Sequence, residues 1–201
     1  MIAIIDYGMG NIHSVKKALE ALGAQTIIAA TPADLAKCEK IVLPGVGAFD
    51  DAMVELEKRG LIPEIKKQIQ GKKAFLGICL GMQLLFEESQ EAQVKKGLGI
   101  LKGKVKRFNH AAGLKVPHMG WNQLRIAKQC PLLKGMSEGS YVYFCHSYYP
   151  EPADGAAIAA TTEYGVSFAS VAWQDNVYGA QFHPEKSQAV GLQMLKNFIA
   201  S

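Results

Sequence analysis

Short apolar segments alternate with amphipathic segments in the first half of the chain, and this alternation constrains the fold more than any other feature. The apolar segments at 2–6, 26–30, 40–45 and 73–79 have the length and composition of buried strands. Most of the sequence between them repeats apolar side chains every three or four residues, as one face of a helix does. Strands that alternate with helices form parallel sheets through right-handed crossovers. The sequence therefore predicts an α/β fold with an open, mostly parallel central sheet and flanking helices.

The pattern changes after residue 97, where strand-like segments follow one another with turns between them. These segments are 97–108, 116–126, 140–150, 156–162 and 166–182. Only the last segment, 187–200, returns to helical spacing. We therefore expect a strand-rich antiparallel section in the C-terminal half. Because no linker separates the two halves, we expect a single domain over residues 1–201.

Composition and charge exclude several classes of protein. A net charge of +4 on 201 residues is too small for a nucleic-acid-binding surface, and no apolar run is long enough to cross a membrane. The acidic Asp6 close to the start argues against a signal peptide. The four cysteines contain no C-x-x-C pair, which disfavours a zinc site and suits a reducing compartment. We expect a cytoplasmic protein with no metal ion, no cofactor, no membrane anchor and no nucleic-acid partner.

The motif G-I-C-L-G at 77–81 joins the strand at 73–79 to a predicted helix at 80–88. A nucleophile elbow, written G-x-S-x-G in serine hydrolases, occurs in this strand-to-helix context. Side chains at the two glycine positions would collide with the neighbouring strand and helix. The amino end of the helix would point at the sulfur of Cys79 and favour its reactive thiolate form. Cys79 is therefore a candidate nucleophile, and the alternative is a core cysteine beside incidental glycines.

A thiolate nucleophile needs a general base, and His183 is the candidate for that role. It follows an apolar strand, and Pro184 favours extended backbone at the residue before it. In extended backbone Glu185 faces the same side as His183 and could orient the imidazole. The alternative for this pair is a capping histidine beside a solvated glutamate. His146 is a competing base, but no acidic residue lies near it in the sequence.

A glycine-containing loop at 43–49 follows the third strand. Ligands of open parallel sheets bind at the carboxyl ends of the strands, where this loop lies. The loop could present a backbone N–H to a developing oxyanion, together with the N–H of Leu80. The alternative is an ordinary turn.

Three motifs, in this order and spacing, resemble those of the class I glutamine amidotransferases. They are P-G-V-G at 44–47, G-I-C-L-G-M-Q at 77–83 and Q-F-H-P-E-K-S at 181–187. Within that family, D-Y-G-M-G-N at 6–11 and P-H-M-G-W-N at 117–122 resemble the glutaminase subunits of imidazole glycerol phosphate synthases. The resemblance covers essentially the whole chain and implies a flavodoxin-like fold.

The resemblance implies a catalytic triad of Cys79, His183 and Glu185 that hydrolyses L-glutamine to glutamate and ammonia through a cysteine thioester. It also assigns backbone contacts to the oxyanion and side-chain or backbone contacts to the substrate. The oxyanion residues are Val46, Gly47 and Leu80, and the substrate residues are Gln83, Ser147 and Tyr148.

The resemblance further implies a heterodimer with a (β/α)₈-barrel cyclase that receives the ammonia through a dry passage. That cyclase makes imidazole glycerol phosphate and aminoimidazole carboxamide ribotide, a step of histidine biosynthesis. The residues implied at the docking face are Asn11, Pro117, Met119, Trp121, Tyr143 and Lys186. For Met119 and Trp121 the alternative is a place in the core.

Three other functions are weighed against this one. The glutaminase of pyridoxal phosphate synthase shares the triad, but the motifs at 6–11 and 117–122 do not resemble it. A cysteine peptidase or other cysteine hydrolase could use a similar sheet, although Gln83 and the His-Pro-Glu unit weigh against it. A dinucleotide-binding protein could use Gly8 and Gly10, but the third glycine of that fingerprint falls on His13.

Overall fold

The computed structural model of the chain describes residues 1–109 and 114–201. The helices are α1 (Ile12–Ala21), α2 (Pro32–Ala36), α3 (Phe49–Lys58), α4 (Leu61–Gln70), α5 (Leu80–Gln83) and α6 (Gln188–Ala200). The strands are β1 (Ile2–Ile5), β2 (Thr26–Ala29), β3 (Lys40–Gly45), β4 (Ala74–Cys79), β5 (Glu88–Ser89), β6 (Gly103–Arg107), β7 (His118–Gln123), β8 (Arg125–Ile126), β9 (Tyr141–His146), β10 (Tyr148–Pro152), β11 (Ile158–Glu163), β12 (Ser167–Gln174) and β13 (Val177–Ala180). Across these two ranges, no helix has both the length and the apolar character that crossing a bilayer demands.

The main sheet has eight strands in the order β2-β1-β3-β4-β13-β12-β11-β8. The first five are parallel, and the last three join by antiparallel pairs. The parallel part has the 2-1-3-4-5 order of flavodoxin-like sheets, with β13 in the fifth place. The predicted α/β fold with a mostly parallel central sheet is confirmed.

Two smaller sheets complete the strand-rich C-terminal half. One has the order β10-β6-β5, and the other is the antiparallel pair β7-β9. The predicted antiparallel section after residue 97 is therefore confirmed. The β7-β9 pair places two predicted docking residues, Trp121 and Tyr143, directly opposite each other.

Apolar cores cover both faces of the main sheet. Along β1, Ile2 and Ile4 pack in one core cluster, while Ala3 and Ile5 pack in the other. Because successive side chains of a strand point to opposite faces, a strand buried on both sides must be apolar throughout. This explains why the parallel strands read as continuous apolar runs in the sequence.

The predicted helix at 80–88 is wrong in length, because α5 ends at Gln83. Residues after it instead pair with the chain that approaches β6. The N–H of Leu98 donates to Leu84 O at 2.8 Å, and the N–H of Ile100 donates to Leu85 O at 2.9 Å. These hydrogen bonds take the place of those that the same carbonyl groups would accept in a longer helix. Because α5 is a single turn, its helix dipole is small. The short helix α2 has no counterpart in the sequence prediction.

Candidate active site

Cys79 stands at the junction of β4 and α5 with a strained backbone. Its φ of +53° and ψ of −110° are uncommon for a residue other than glycine. A Cβ on Gly77 would lie 2.5 Å from Gly81 O, and a Cβ on Gly81 would overlap the carbonyl oxygen of Leu43 on β3. The predicted reason for both glycines is confirmed, and the geometry is that of a nucleophile elbow.

The loop after β3 packs directly on this elbow. A Cβ on Gly45 would lie 2.9 Å from the backbone nitrogen of Gly81. Gly47 has a φ of +100°, which favours glycine. Val46 and Gly47 line a cavity together with Leu80, so the three predicted oxyanion residues meet in one place.

A buried tyrosine that the sequence did not predict supports this loop from below. The hydroxyl of Tyr7 donates a hydrogen bond to Pro44 O at 3.0 Å, and its side chain is fully buried. Burial, together with the nearby charge of a Cys79 thiolate, raises the pKa of Tyr7. The phenol therefore stays a neutral donor, and it holds the start of the P-G-V-G segment in place.

His183 and Glu185 form a buried pair beside Cys79. The Nδ1 atom of His183 lies 2.9 Å from Oε1 of Glu185, and their side chains are only 4% and 1% exposed. The sequence predicted this proximity, but for a partly wrong reason. His183 itself has extended backbone, whereas Glu185 lies in a 3₁₀ turn over Pro184–Lys186. The turn brings the carboxylate back onto the imidazole.

The charge state of His183 follows from its neighbours. Burial is the largest single influence and opposes the protonated form. The hydrogen bonds and negative charges of Cys79 and Glu185 outweigh it and raise the pKa of His183 to about 10. Because a carboxylate only accepts hydrogen bonds, Nδ1 carries a proton toward Glu185, and Nε2 is left for the sulfur. His183 is therefore protonated at neutral pH, and its imidazolium can pair with a thiolate on Cys79.

The backbone of His183 is tied to strand β9. Its N–H donates to Tyr143 O at 2.9 Å. The hydroxyl of Ser187 donates to His183 O at 2.7 Å and accepts from the Tyr143 N–H at 2.9 Å. Ser187 is fully buried, and sequence reasoning missed it. The strand that carries Tyr143 therefore fixes the position of the candidate base.

A cavity of about 330 Å³ opens over these groups, a size suited to a small molecule. Gln83, Ser147 and Tyr148, the predicted substrate contacts, line it together with Cys79 and His183. A larger groove of about 780 Å³ elsewhere on the surface is lined by no cysteine, histidine or serine. The smaller cavity is therefore the candidate active site.

Glu91 also lines this cavity, although the sequence did not single it out. Its Oε2 accepts a hydrogen bond from the Phe49 N–H at 3.1 Å. Burial raises the pKa of the Glu91 carboxyl. A half-buried carboxylate held in this way presents an acidic group to a bound ligand.

The family model for glutamine amidotransferase class-I matches residues 3–201. The chain belongs to this family. It is 50% identical over 203 residues to the imidazole glycerol phosphate synthase subunit HisH of Syntrophotalea carbinolica, covering 98% of each chain. It is 51% identical over 202 residues to the subunit of that name from Geobacter sulfurreducens, covering 98% of this chain and 97% of that protein.

One solved structure, titled "Crystal structure of glutamine amidotransferase", has a TM-score of 0.78 to this chain and covers 100% of it and 98% of its own length. At 19% identity, that match supports the fold alone. The relatives at about half identity place the chain among the glutaminase subunits of imidazole glycerol phosphate synthase, which act in histidine biosynthesis. Family membership also disfavours the peptidase and dinucleotide-binding alternatives.

Five of the six predicted docking residues of this amidotransferase lie in or beside the cavity. Met119 and Trp121 are 62% and 45% exposed, so their alternative place in the core is wrong. The rings of Trp121 and Tyr143 lie 6.0 Å apart, and Nζ of Lys186 lies 5.9 Å from the Tyr143 ring. Pro117 and Lys186 line the cavity itself. Asn11 directly precedes α1.

His146, the competing base, is engaged in the interior of the amidotransferase. Its Nδ1 lies 2.7 Å from Tyr148 O, and its Nε2 lies 3.0 Å from Nδ1 of His118. Burial lowers the pKa of His146 to about 3 and that of His118 to about 4. Both histidines are therefore neutral at pH 7, and both ring nitrogens of His146 already have partners. This geometry favours His183 as the base.

We expect this neutral pair to make the protein sensitive to acid. Both pKa values are lower in the folded chain than the ordinary value of about 6.5, so their stabilisation is present above pH 6.5 and is lost as the pH falls toward 4. In that window, each histidine lowers the free energy of unfolding by up to about 1.4 kcal/mol for every pH unit of acidification. Between pH 7 and pH 5, His118→Phe should lose about 2 kcal/mol less free energy of unfolding than the wild type.

Denaturant titrations of both proteins at pH 5, 7 and 8 measure this difference. Between pH 7 and pH 8 the two proteins should change in parallel, because neither His118 nor His146 titrates there. An identical loss of stability on acidification in both proteins would contradict the neutral pair.

Proposed function

We propose that this chain, as a single domain, hydrolyses L-glutamine at Cys79 and delivers the ammonia to a docked (β/α)₈-barrel cyclase in a heterodimer. The observation that carries the proposal is the convergence of Cys79, the His183–Glu185 pair and the P-G-V-G loop on one cavity. The half-identical relatives named imidazole glycerol phosphate synthase subunit HisH support the choice of synthase. No cofactor takes part in this chemistry.

The first step forms a thioester. The Cys79 thiolate attacks the side-chain amide carbon of glutamine, and the carbonyl oxygen becomes an oxyanion. Backbone N–H groups of the 46–47 segment and Leu80 would stabilise that charge. The oxyanion then collapses, the C–N bond breaks, and the imidazolium of His183 gives its Nε2 proton to the leaving nitrogen. Ammonia departs and a γ-glutamyl thioester remains on Cys79.

The second step regenerates the enzyme. His183, now neutral, takes a proton from water, which attacks the thioester carbon. The C–S bond breaks, glutamate leaves, and the thiolate–imidazolium pair forms again. Glu185 does not exchange protons in either step. It holds the imidazole through Nδ1 and stabilises its positive charge.

The substrate contacts follow from which polar atoms remain available in the cavity. Nε2 of Gln83 donates to Tyr148 O at 2.9 Å and to Gln181 Oε1 at 3.0 Å, so its carbonyl oxygen is the group offered to substrate. We assign the α-ammonium of glutamine to the carboxylate of Glu91, an acidic residue that lines the cavity. Ser147 and Tyr148, at the junction of β9 and β10, would also contact the substrate.

The docking face fits a partner that takes up ammonia. Free ammonia in water becomes ammonium, which is not a nucleophile, so the product needs a dry route to the next enzyme. The exposed apolar side chains of Met119 and Trp121 lie on the strand that follows Pro117 at the cavity. Aromatic and methionine side chains of this kind are typical anchors of protein interfaces. The cyclase would use the ammonia to form imidazole glycerol phosphate and aminoimidazole carboxamide ribotide.

We also assign the reaction to the cytoplasm. All four cysteines are free thiols in the structure, as a reducing compartment requires. The nucleophile must remain reduced for the thioester chemistry to occur.

Co-purification with the cyclase tests the function. The complex should release glutamate from glutamine, faster with the cyclase's ligand bound, and Trp121→Asp should weaken docking at least tenfold. Val54→Asp is the matched control, because Val54 on α3 is 42% exposed and lies outside the proposed face. A complex that does not form, or that leaves glutamine intact, would contradict the proposal.

A further inference from the structure

We propose that Gln181 acts directly on the nucleophile, by donating a hydrogen bond from its side-chain amide to the sulfur of Cys79. This inference rests on the proposed function and adds a catalytic residue to the same site. Nε2 of Gln181 lies 3.7 Å from Sγ of Cys79. Its side chain is fully buried, and it immediately follows β13, the parallel neighbour of β4.

The orientation of the Gln181 amide is determined by its partners. A backbone carbonyl can only accept a hydrogen bond, so Nε2 of Gln83 must be the atom that faces Tyr148 O. The other N–H of that Nε2 then points at Gln181, whose Oε1 accepts it at 3.0 Å. The Nε2 of Gln181 is consequently turned toward Cys79. Rotating either amide by half a turn would set two donors or two acceptors against each other.

The carbonyl oxygen of Tyr148 accepts a second hydrogen bond, from the buried side chain of His146. Because Tyr148 O only accepts, Nδ1 of neutral His146 carries the proton, and its Nε2 accepts from Nδ1 of His118. Nε2 of His118 then faces the amide of Asn122 at 3.3 Å. A continuous network of hydrogen bonds thus links the docking strand β7 to the sulfur. Its donors converge on Tyr148 O from both sides, with His146 donating from one side and Gln83 from the other.

The sulfur has different partners in its two protonation states. A thiol can donate to the carbonyl oxygen of Cys145, which lies 3.9 Å from Sγ. A thiolate can only accept, and Gln181 and His183 supply the donors. A fixed neutral donor stabilises the anion without itself gaining or losing a proton. Gln181 therefore favours the reactive form of Cys79 and leaves proton transfer to His183.

Other titratable groups also surround the sulfur and bear on its pH dependence. In the described ranges they are Tyr7 after β1, Glu91 after β5, Cys145 and His146 on β9, and His183, Glu185 and Lys186 after β13. Because Gln181 does not titrate, its removal should move the thiolate profile without adding a new transition.

Alkylation of Cys79 by iodoacetamide, followed over pH by mass spectrometry of the Cys79 peptide, tests the inference. In Gln181→Leu, which cannot donate, the pH of half-maximal rate should rise by about one unit, so the rate on the acidic limb of the profile should fall about tenfold. In Gln181→Glu, which is isosteric but places a carboxylate beside the sulfur, the shift should be larger. In the complex with the cyclase, kcat should fall while KM for glutamine changes little.

Ser170→Ala is the matched control. Ser170 is fully buried, its backbone oxygen accepts the Gln181 N–H at 2.9 Å, and its hydroxyl has no hydrogen-bond partner in the described residues. This variant should keep the wild-type profile. If Gln181→Leu does not fold, Gln181→Glu decides the question by the same measurement. Wild-type alkylation profiles in the folded Gln181 variants would overturn the inference.

The two proposals fail in distinguishable ways. Alkylation requires neither glutamine nor the cyclase, so its outcome is readable even if the wild-type complex hydrolyses no glutamine. An inactive wild-type complex would count against the proposed function, whereas an unshifted alkylation profile would count against Gln181 alone.

Discussion

Cys79→Ala is expected to abolish glutamine hydrolysis, lowering kcat by about 10⁴-fold or more, and to leave docking to the cyclase intact. The elbow directs the sulfur into the cavity rather than into packing, so its loss removes the nucleophile without opening a large void. Glycines at 77 and 81, which permit the turn, remain in place. Glutamate release and complex formation, measured on the same preparations, check both parts of this expectation.

The same complex should still run the cyclase reaction on added ammonium salts, because only the source of ammonia is lost. Cys130→Ala is the control, since Cys130 is also buried at 5% exposure but lies outside the cavity. That variant should retain glutamine hydrolysis. Glutamine turnover at the wild-type rate in Cys79→Ala would refute the assignment of the nucleophile.

His183→Ala is expected to lower kcat/KM by about 10⁴-fold or more. The decrease in Glu185→Gln is expected to be roughly a hundred times smaller. In the proposed mechanism His183 transfers protons in both chemical steps, whereas Glu185 orients the imidazole and stabilises its charge. The pKa of about 10 for His183 depends partly on the Glu185 carboxylate. Glu185→Gln should therefore also lower the pH above which activity declines.

Steady-state kinetics of both variants in complex with the cyclase, over a range of pH, provide the comparison. Equal docking of the two variants is the necessary control, because Lys186 on the proposed docking face adjoins Glu185. A Glu185→Gln enzyme that is slower than His183→Ala would show that the two roles are assigned to the wrong residues.

Local patterns in the sequence determined the architecture and the position of the candidate nucleophile. The apolar runs and helical spacing predicted the parallel half of the sheet, because strand and helix periodicity are properties of neighbouring residues. The glycines at 77 and 81 predicted the elbow, because the tight turn from strand to helix leaves no room for side chains at these two positions. His183 and Glu185 could likewise be paired from their spacing alone.

Other parts of the site depend on residues that are distant in the chain. Gln83 and Gln181 bond across 98 positions, and Tyr7 supports Pro44 across 37. Ser187 ties His183 to Tyr143 only because β9 lies beside it, and Glu91 enters the cavity through a loop with no motif of its own. No short pattern encodes such contacts, since each requires two segments to meet in the folded chain.

Tertiary structure also decided between alternatives that the sequence left open. α5 ends after one turn because the carbonyl groups of residues 84–86 accept hydrogen bonds from residues 98–101 rather than from a continuing helix. His146 was a reasonable base by residue type, yet burial and two ring contacts keep it neutral and occupied. The sequence by itself determined which chemistry the chain could perform. The packing of distant strands decided which histidine is free to perform it, because burial and hydrogen-bond partners, not residue identity, set the state of each imidazole.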